Sequence, residues 1–169
     1  DPSGLPAGMI NRTEYNSDII VGRTDWGSAV GAIVDLAPEL HIDISNDYNS
    51  STRIVTVEVT SDFAVNLDGT FNLVVALTED SIVNWQVDYA LQPDDHIEFY
   101  VHRHVLRTAL NGTWGEEIST GPVSAGTSLT NTYSLTLPAE WDEDHCAIIA
   151  YVRETSSHEI LQVEEVKIK

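Results

Sequence analysis

A chain of 169 residues with one cysteine, Cys146, can form no internal disulfide. That thiol sits in the run Cys146-Ala-Ile-Ile-Ala-Tyr-Val152. The setting favours a buried structural group over a reactive nucleophile. Basic residues are scarce too: 8 Lys and Arg against 27 Asp and Glu give a formal charge of −19. Such a surplus repels phosphate backbones and anionic headgroups, so nucleic acid is excluded as the expected partner. The acids are dispersed, as at Asp94-Asp95 and Asp142-Glu-Asp144, and read as a solvated surface, with calcium coordination or salt adaptation as alternatives. Also absent are an apolar run near the roughly twenty residues of a membrane span and an opening signal peptide. The sequence begins at Asp1 without methionine, which is compatible with an upstream signal or domain having been removed. No Gly-x-Ser-x-Gly elbow, phosphate-cradling glycine loop or His-Glu-x-x-His helix occurs. No catalytic residue and no cofactor is therefore expected.

What the chain does contain is β periodicity. Val55, Val57 and Val59 alternate with Thr56, Glu58 and Thr60. Phe71, Leu73, Val75 and Leu77 follow a segment, Asn66-Leu-Asp-Gly-Thr70, whose Asp-Gly favours a hairpin turn. Leu129 to Leu137 alternates cleanly before Pro138. Cys146 to Val152 is apolar on both parities, as in a strand covered on both faces, and Ile160 to Ile168 is more polar and edge-like. With Leu40 to Ser45 and Ile97 to Leu110 this makes about seven strands, mainly β, in an antiparallel β-sandwich. The first residues differ. Thr24 is placed to cap a helix whose apolar positions Trp26, Ala29, Val30, Ile33, Val34 and Ala37 share one face, with Trp26, Ile33 and Val34 expected to be buried. A short second helix is expected over Glu79 to Val87, and Gly115 to Ser128 reads as the loosest loop.

Candidate binding residues concentrate in Glu98-Phe-Tyr-Val-His-Arg-His-Val-Leu-Arg107. In one continuous strand, Tyr100, His102 and His104 share a face and Arg103, Val105 and Arg107 share the other. His102 and His104 at this spacing suit a metal site completed by Glu98 or by Asp95 and His96. The favoured reading is instead a polar network of His102, Arg103, His104 and Arg107 with carboxylates on neighbouring strands, Glu116, Glu117 or Glu154. The loop Asn111-Gly-Thr-Trp-Gly-Glu-Glu117 follows. Trp114, like Trp85 and Trp141, offers a ring for stacking sugars, although packing as a core or loop anchor is the commoner role of such a side chain. Asp43-Ile-Ser-Asn-Asp47 lacks the oxygen spacing of a calcium loop. The residues expected to bind a ligand are thus Trp114, His102, His104 and Arg107, with no metal site.

Two groups of motifs resemble known families. Gly4-Leu-Pro-Ala-Gly-Met-Ile-Asn-Arg12, then Asp18-Ile-Ile-Val21 and the capped helix, resemble the closing half of a thioredoxin-like domain, with Pro6 at the position of its cis-proline. Leu73-Val-Val-Ala-Leu-Thr-Glu-Asp80, His102-Arg-His-Val-Leu-Arg107, Trp114-Gly-Glu116 and Glu159-Ile-Leu-Gln-Val163 resemble the outer-membrane protein family of Bacteroidetes named for its twenty-eight-kilodalton member. The resemblance implies residues 1–39 as an incomplete thioredoxin-like end and 40–169 as a β-sandwich. It also implies an exported, cell-envelope protein, outer-membrane-associated or at the cell surface. The Cys-x-x-Cys part of a thioredoxin fold is absent, which leaves redox chemistry unsupported. The expected function is a non-enzymatic binding or adhesion module with an extracellular protein or glycan ligand, and a second copy of the chain as a further partner. The alternative is a carbohydrate-binding module that stacks sugars on tryptophan, with calcium as an optional ligand.

Overall fold

The computed structural model describes residues 6–91, 93 and 95–169; Gly4 and Leu5 of the N-terminal motif and Asp94 of the acidic pair lie outside them. Alternation in the middle of the chain produces two facing antiparallel sheets. One is three-stranded, in the order β10 (Ser128–Thr136), β4 (Ile54–Phe63), β3 (Leu40–Asn49). The other is five-stranded: β12 (Ile160–Lys167), β11 (Cys146–Glu154) and β5 (Leu67–Glu79), with β8 (Val105–Ala109) and β9 (Glu116–Val123) in succession along the far edge of β5. Val55, Val57 and Val59 from one sheet meet Leu73, Val75, Leu77, Ile148, Ala150 and Val152 from the other, all buried. Each such side chain contributes about 1.5 to 3 kcal/mol on burial. Cys146 is part of this core, and burial pushes its thiol up to about 11, with the nearby Glu79 carboxylate adding to the effect.

Several local expectations are corrected. Asp68 and Gly69 lie inside β5, paired with Pro122 and Gly121, because β4 and β5 belong to different sheets and need no hairpin turn between them. Gly115 to Ser128 is not a loose loop: most of it is β9, held by the edge of β5. The second helix is a strand, β6 (Ile82–Val87), paired with β7 (His96–His102).

Ahead of the sandwich, β1 (Ala7–Gly8) pairs with β2 (Val21–Gly22), and a 3-10 turn over Arg23–Asp25 leads into α1 (Trp26–Gly31). Thr24 does not cap this helix; it sits in the 3-10 turn, and the capping position, Asp25, makes no side-chain cap bond. Gly27 and Gly31 lower helical propensity, and the helix ends at Gly31. The apolar stripe is cut short in consequence: Ala29 is buried and Trp26 and Ile33 are half-buried, but Val34 is 66% exposed. Trp26 is fixed instead by its indole N–H, which donates to the Val21 carbonyl at 2.8 Å.

Candidate functional site

The edge of β5 opens into an arm. Glu79 pairs with Val105 in the sandwich, and three residues further along both strands Ile82 pairs with His102, so β5–β8 and β6–β7 are one long hairpin in a single register. The ladder breaks between them. Ser81 and His104 both take positive φ, 61° and 48°, which turns the two strands out of the sandwich together. Asp80 compensates for the missing backbone pairs: its carboxylate accepts from the His104 backbone N–H at 2.6 Å, and its own N–H donates to the His145 carbonyl at 3.0 Å. The His104 N–H holds the Asp80 carboxyl below its usual range. Arg103 approaches the same carboxylate at 3.6 Å, and the His104 ring lies between Asp80 at 3.6 Å and Glu165 at 3.4 Å.

This break corrects the reading of Ile97 to Leu110 as one strand. His102 and His104 no longer share a face. His102 lines a hollow with Ile82, Asn84, Trp85, Val105 and Arg107, with its ring against Tyr100 at 4.9 Å. His104 opens onto a separate polar cleft bounded by Asp80, Arg103, Asp144, His145, Glu165 and Lys167. Among the described residues no three metal-ligating side chains converge.

Of the four residues expected in one polar network, Arg103 and His104 meet Asp80 and Glu165, Arg107 meets Glu79 separately, and His102 packs against the Tyr100 ring instead. Arg107 donates to Glu79 at 2.7 Å, and that buried carboxylate also accepts the Asp142 N–H at 3.0 Å. The Arg107 guanidinium lies 5.4 Å from the Trp141 ring centre, which makes Trp141 an anchor at the base of the arm. Arg53 holds the connection between β10 and β11, to which Trp141 belongs, through the carbonyls of Leu137, Pro138 and Trp141 and the Glu143 carboxylate. Of the carboxylates expected as partners, Glu116 binds Tyr133 and Asn131. Glu154 binds the Ser156–Ser157 turn, whose Ser157 N–H holds it down at about 2.

The arm is paired with nothing but itself among the described strands, and it leaves several large apolar side chains exposed. Tyr89 is 79% exposed, Phe99 73% and Trp85 60%, with Val83, Leu91, Tyr100 and Val101 also exposed. Seven of the large exposed apolar side chains are thus concentrated between residues 83 and 101. Sequence reasoning placed His102 here and offered Trp85 as a stacking ring, but missed Tyr89 and Phe99 beside it. The available signal was that Ile82 to Val87 and Phe99 to Val101 are apolar or uncharged on both parities, yet no third strand is left to cover them.

Trp114 lies elsewhere. It sits beside Asn72 and Leu73 of β5, about 20 Å along the strand from Glu79 at 3.4 Å per residue. Its corner is tightly fixed. Asn111 accepts from the Val75 N–H at 3.0 Å and donates to the Leu73 carbonyl at 2.9 Å, while Arg153, 3% exposed, donates to the Trp114 carbonyl. The Arg153 guanidinium is 5.1 Å from the indole centre and the His158 ring 5.7 Å, yet the indole remains 60% exposed. The fold thus brings His102 and Arg107 together, sets His104 in a separate polar cleft, and leaves Trp114 as a separate platform.

The profile of the family Outer membrane protein Omp28 matches residues 1–169, the whole chain. The structure is similar to that of a domain of the outer membrane lipoprotein Omp28 from Porphyromonas gingivalis, with TM-score 0.53 and 22% identity, over 79% of this chain and 91% of that one. A weaker likeness, TM-score 0.34 at 15% identity, is to a β-glucosidase from Kluyveromyces marxianus, over 78% of this chain and 14% of that one. None of the curated proteins matches the chain.

Proposed function

We propose, from the premise that this chain belongs to the Omp28 family of outer membrane proteins and is therefore associated with the cell envelope, that it is a non-enzymatic binding module whose contact element is the β6–β7 arm. The observation that carries the reading is the arm itself: Trp85, Tyr89, Phe99 and Tyr100 stand exposed on a two-stranded ribbon that leaves the sandwich at a fixed break. Aromatic side chains of this kind dominate interface energetics, because they bury large areas at the cost of few rotatable bonds. The hollow at the base, between His102 and Arg107, supplies polar groups for orientation. An extracellular protein is the ligand class that fits a projecting apolar ribbon best. Residues 1–39 are read, on the same footing, as the closing part of a thioredoxin-like domain.

A second reading is favoured by one observation, the open indole of Trp114 clamped over Arg153, which suits stacking of a sugar ring. One experiment separates the two. Labelled protein is applied to surfaces coated with extracellular-matrix proteins and to a glycan array, beside a triple variant Trp85→Ser, Phe99→Ser, Tyr100→Ser and a single variant Trp114→Ala. The expected result is at least a tenfold loss of protein binding in the triple variant with its melting temperature unchanged, since all three side chains are exposed. Unaltered binding by the triple variant, together with loss in Trp114→Ala, assigns the site to the platform.

A further inference from the structure

We propose that the free edge of β6 pairs with the β6 edge of a second copy of this chain, joining two arms into a four-stranded intermolecular sheet. β6 is hydrogen-bonded along one side to β7 and has no strand on its other side among the described residues. Soluble proteins protect such edges with charge, proline or bulges that turn the strand away. β6 carries none of the first two: Ile82-Val-Asn-Trp-Gln-Val87 has no charged residue and no proline, in a chain with 35 charged ones. The irregularity in the ribbon shifts the register between Asn84 and Gln86, opposite Glu98 and Phe99 of β7.

The occupant follows from charge and symmetry. An antiparallel pair of identical strands must be centred on a residue, because the backbone groups facing outward alternate. Centring on Asn84 sets Val83 opposite Trp85 and Ile82 opposite Gln86; centring on Trp85 sets Asn84 opposite Gln86 and Val83 opposite Val87. Every facing pair within Ile82–Val87 is neutral in both registers, and each register includes an apolar contact of the kind that stabilises cross-strand pairing. Just beyond it, centring on Asn84 sets Asp88 opposite Asp80, whereas centring on Trp85 sets Asp88 opposite Ile82, which favours the Trp85-centred register. The nearest acid on the strands, Glu98 on β7, would be separated from its counterpart by three strand spacings, about 14 Å. That exceeds the screening length of about 8 Å at physiological salt. The remaining obstacle is the repulsion of two bodies of −19 each, which salt weakens. The other uncharged edge, β10, differs: Ser128, Thr130, Thr132, Ser134 and Thr136 occupy its exposed positions, and Glu116 ties its Asn131 and Tyr133 to the facing sheet. The proposal is independent of the arm's ligand, since edge pairing leaves both ribbon faces open.

Sedimentation velocity of the 169-residue chain from 1 to several hundred micromolar, in 0.15 and 0.5 M sodium chloride, tests it. A concentration-dependent dimer is expected, tighter at the higher salt. Trp85→Glu and Trp85→Lys, each checked for an unchanged melting temperature, are expected to weaken the dimer at least tenfold, and an equimolar mixture of the two is expected to restore it. A chain that stays monomeric at every concentration and salt overturns the proposal. So does a dimer that Trp85→Glu leaves intact, or one that the mixture fails to recover.

Discussion

Gly115→Ala is expected to destabilise the protein by about 4 kcal/mol or more, at the upper end of single-residue effects. Gly115 has φ +73°, and a Cβ there would lie 2.1 Å from the Leu73 carbonyl oxygen and 2.7 Å from the Val74 side chain. Neither can retreat. Leu73 is fully buried, and its carbonyl already accepts from Asn111. Gly112 provides the control, because its φ is also positive, +86°, but nothing stands within 4 Å of its Cβ position. Gly112→Ala is expected to cost only the backbone term, about 1 kcal/mol. In a chain of this length each kcal/mol moves the melting temperature by roughly 2 to 4 °C, so calorimetry separates the pair clearly. Equal shifts in the two variants would mean that backbone strain, not the close approach to β5, makes glycine necessary at 115.

Arg107→Ala is the second large effect, expected at about 3 kcal/mol. Glu79 is buried, and Arg107 is its charged partner at 2.7 Å. Removing one member of such a pair leaves an uncompensated carboxylate, which costs about 3 to 5 kcal/mol when burial is complete. Arg107 is partly exposed and the Asp142 N–H remains as a donor to Glu79, so the lower end applies. The double variant Arg107→Ala, Glu79→Gln is expected to recover part of the loss, because the stranded charge is gone. Thermal unfolding of the two single variants and the double variant checks this. A double variant as unstable as the sum of its singles would show that the pair is not coupled.

The sandwich was legible because its strands bury one face: the valines at 55, 57 and 59 and the run from Cys146 to Val152 report burial directly through alternation or its absence. Asp68-Gly69 misleads because the dipeptide is common in hairpin turns, whereas here Gly69 lies inside β5 opposite Gly121 of β9, where a side chain would press on Phe71 and Glu154. The break at Ser81 and His104 has no sequence marker, since neither residue is the glycine that positive φ usually requires. It is stabilised by the adjoining Asp80 carboxylate and, from outside, by the His145 carbonyl of the β10–β11 connection. The same holds at the candidate site. Histidines and arginines in Glu98 to Arg107 were visible, but their partners Glu79, Asp80 and Glu165 come from strands whose pairing periodicity does not specify. The Trp114 clamp depends on Arg153, 39 positions away in the chain.

The claim that the arm is the contact element is tested most directly by side-chain oxidation mapped by mass spectrometry, with and without the matrix protein that binds best. The account requires protection concentrated at Trp85, Tyr89, Phe99 and Tyr100, with Trp114 oxidised to the same extent in both samples. Protection at Trp114 with the four arm residues unchanged would contradict it.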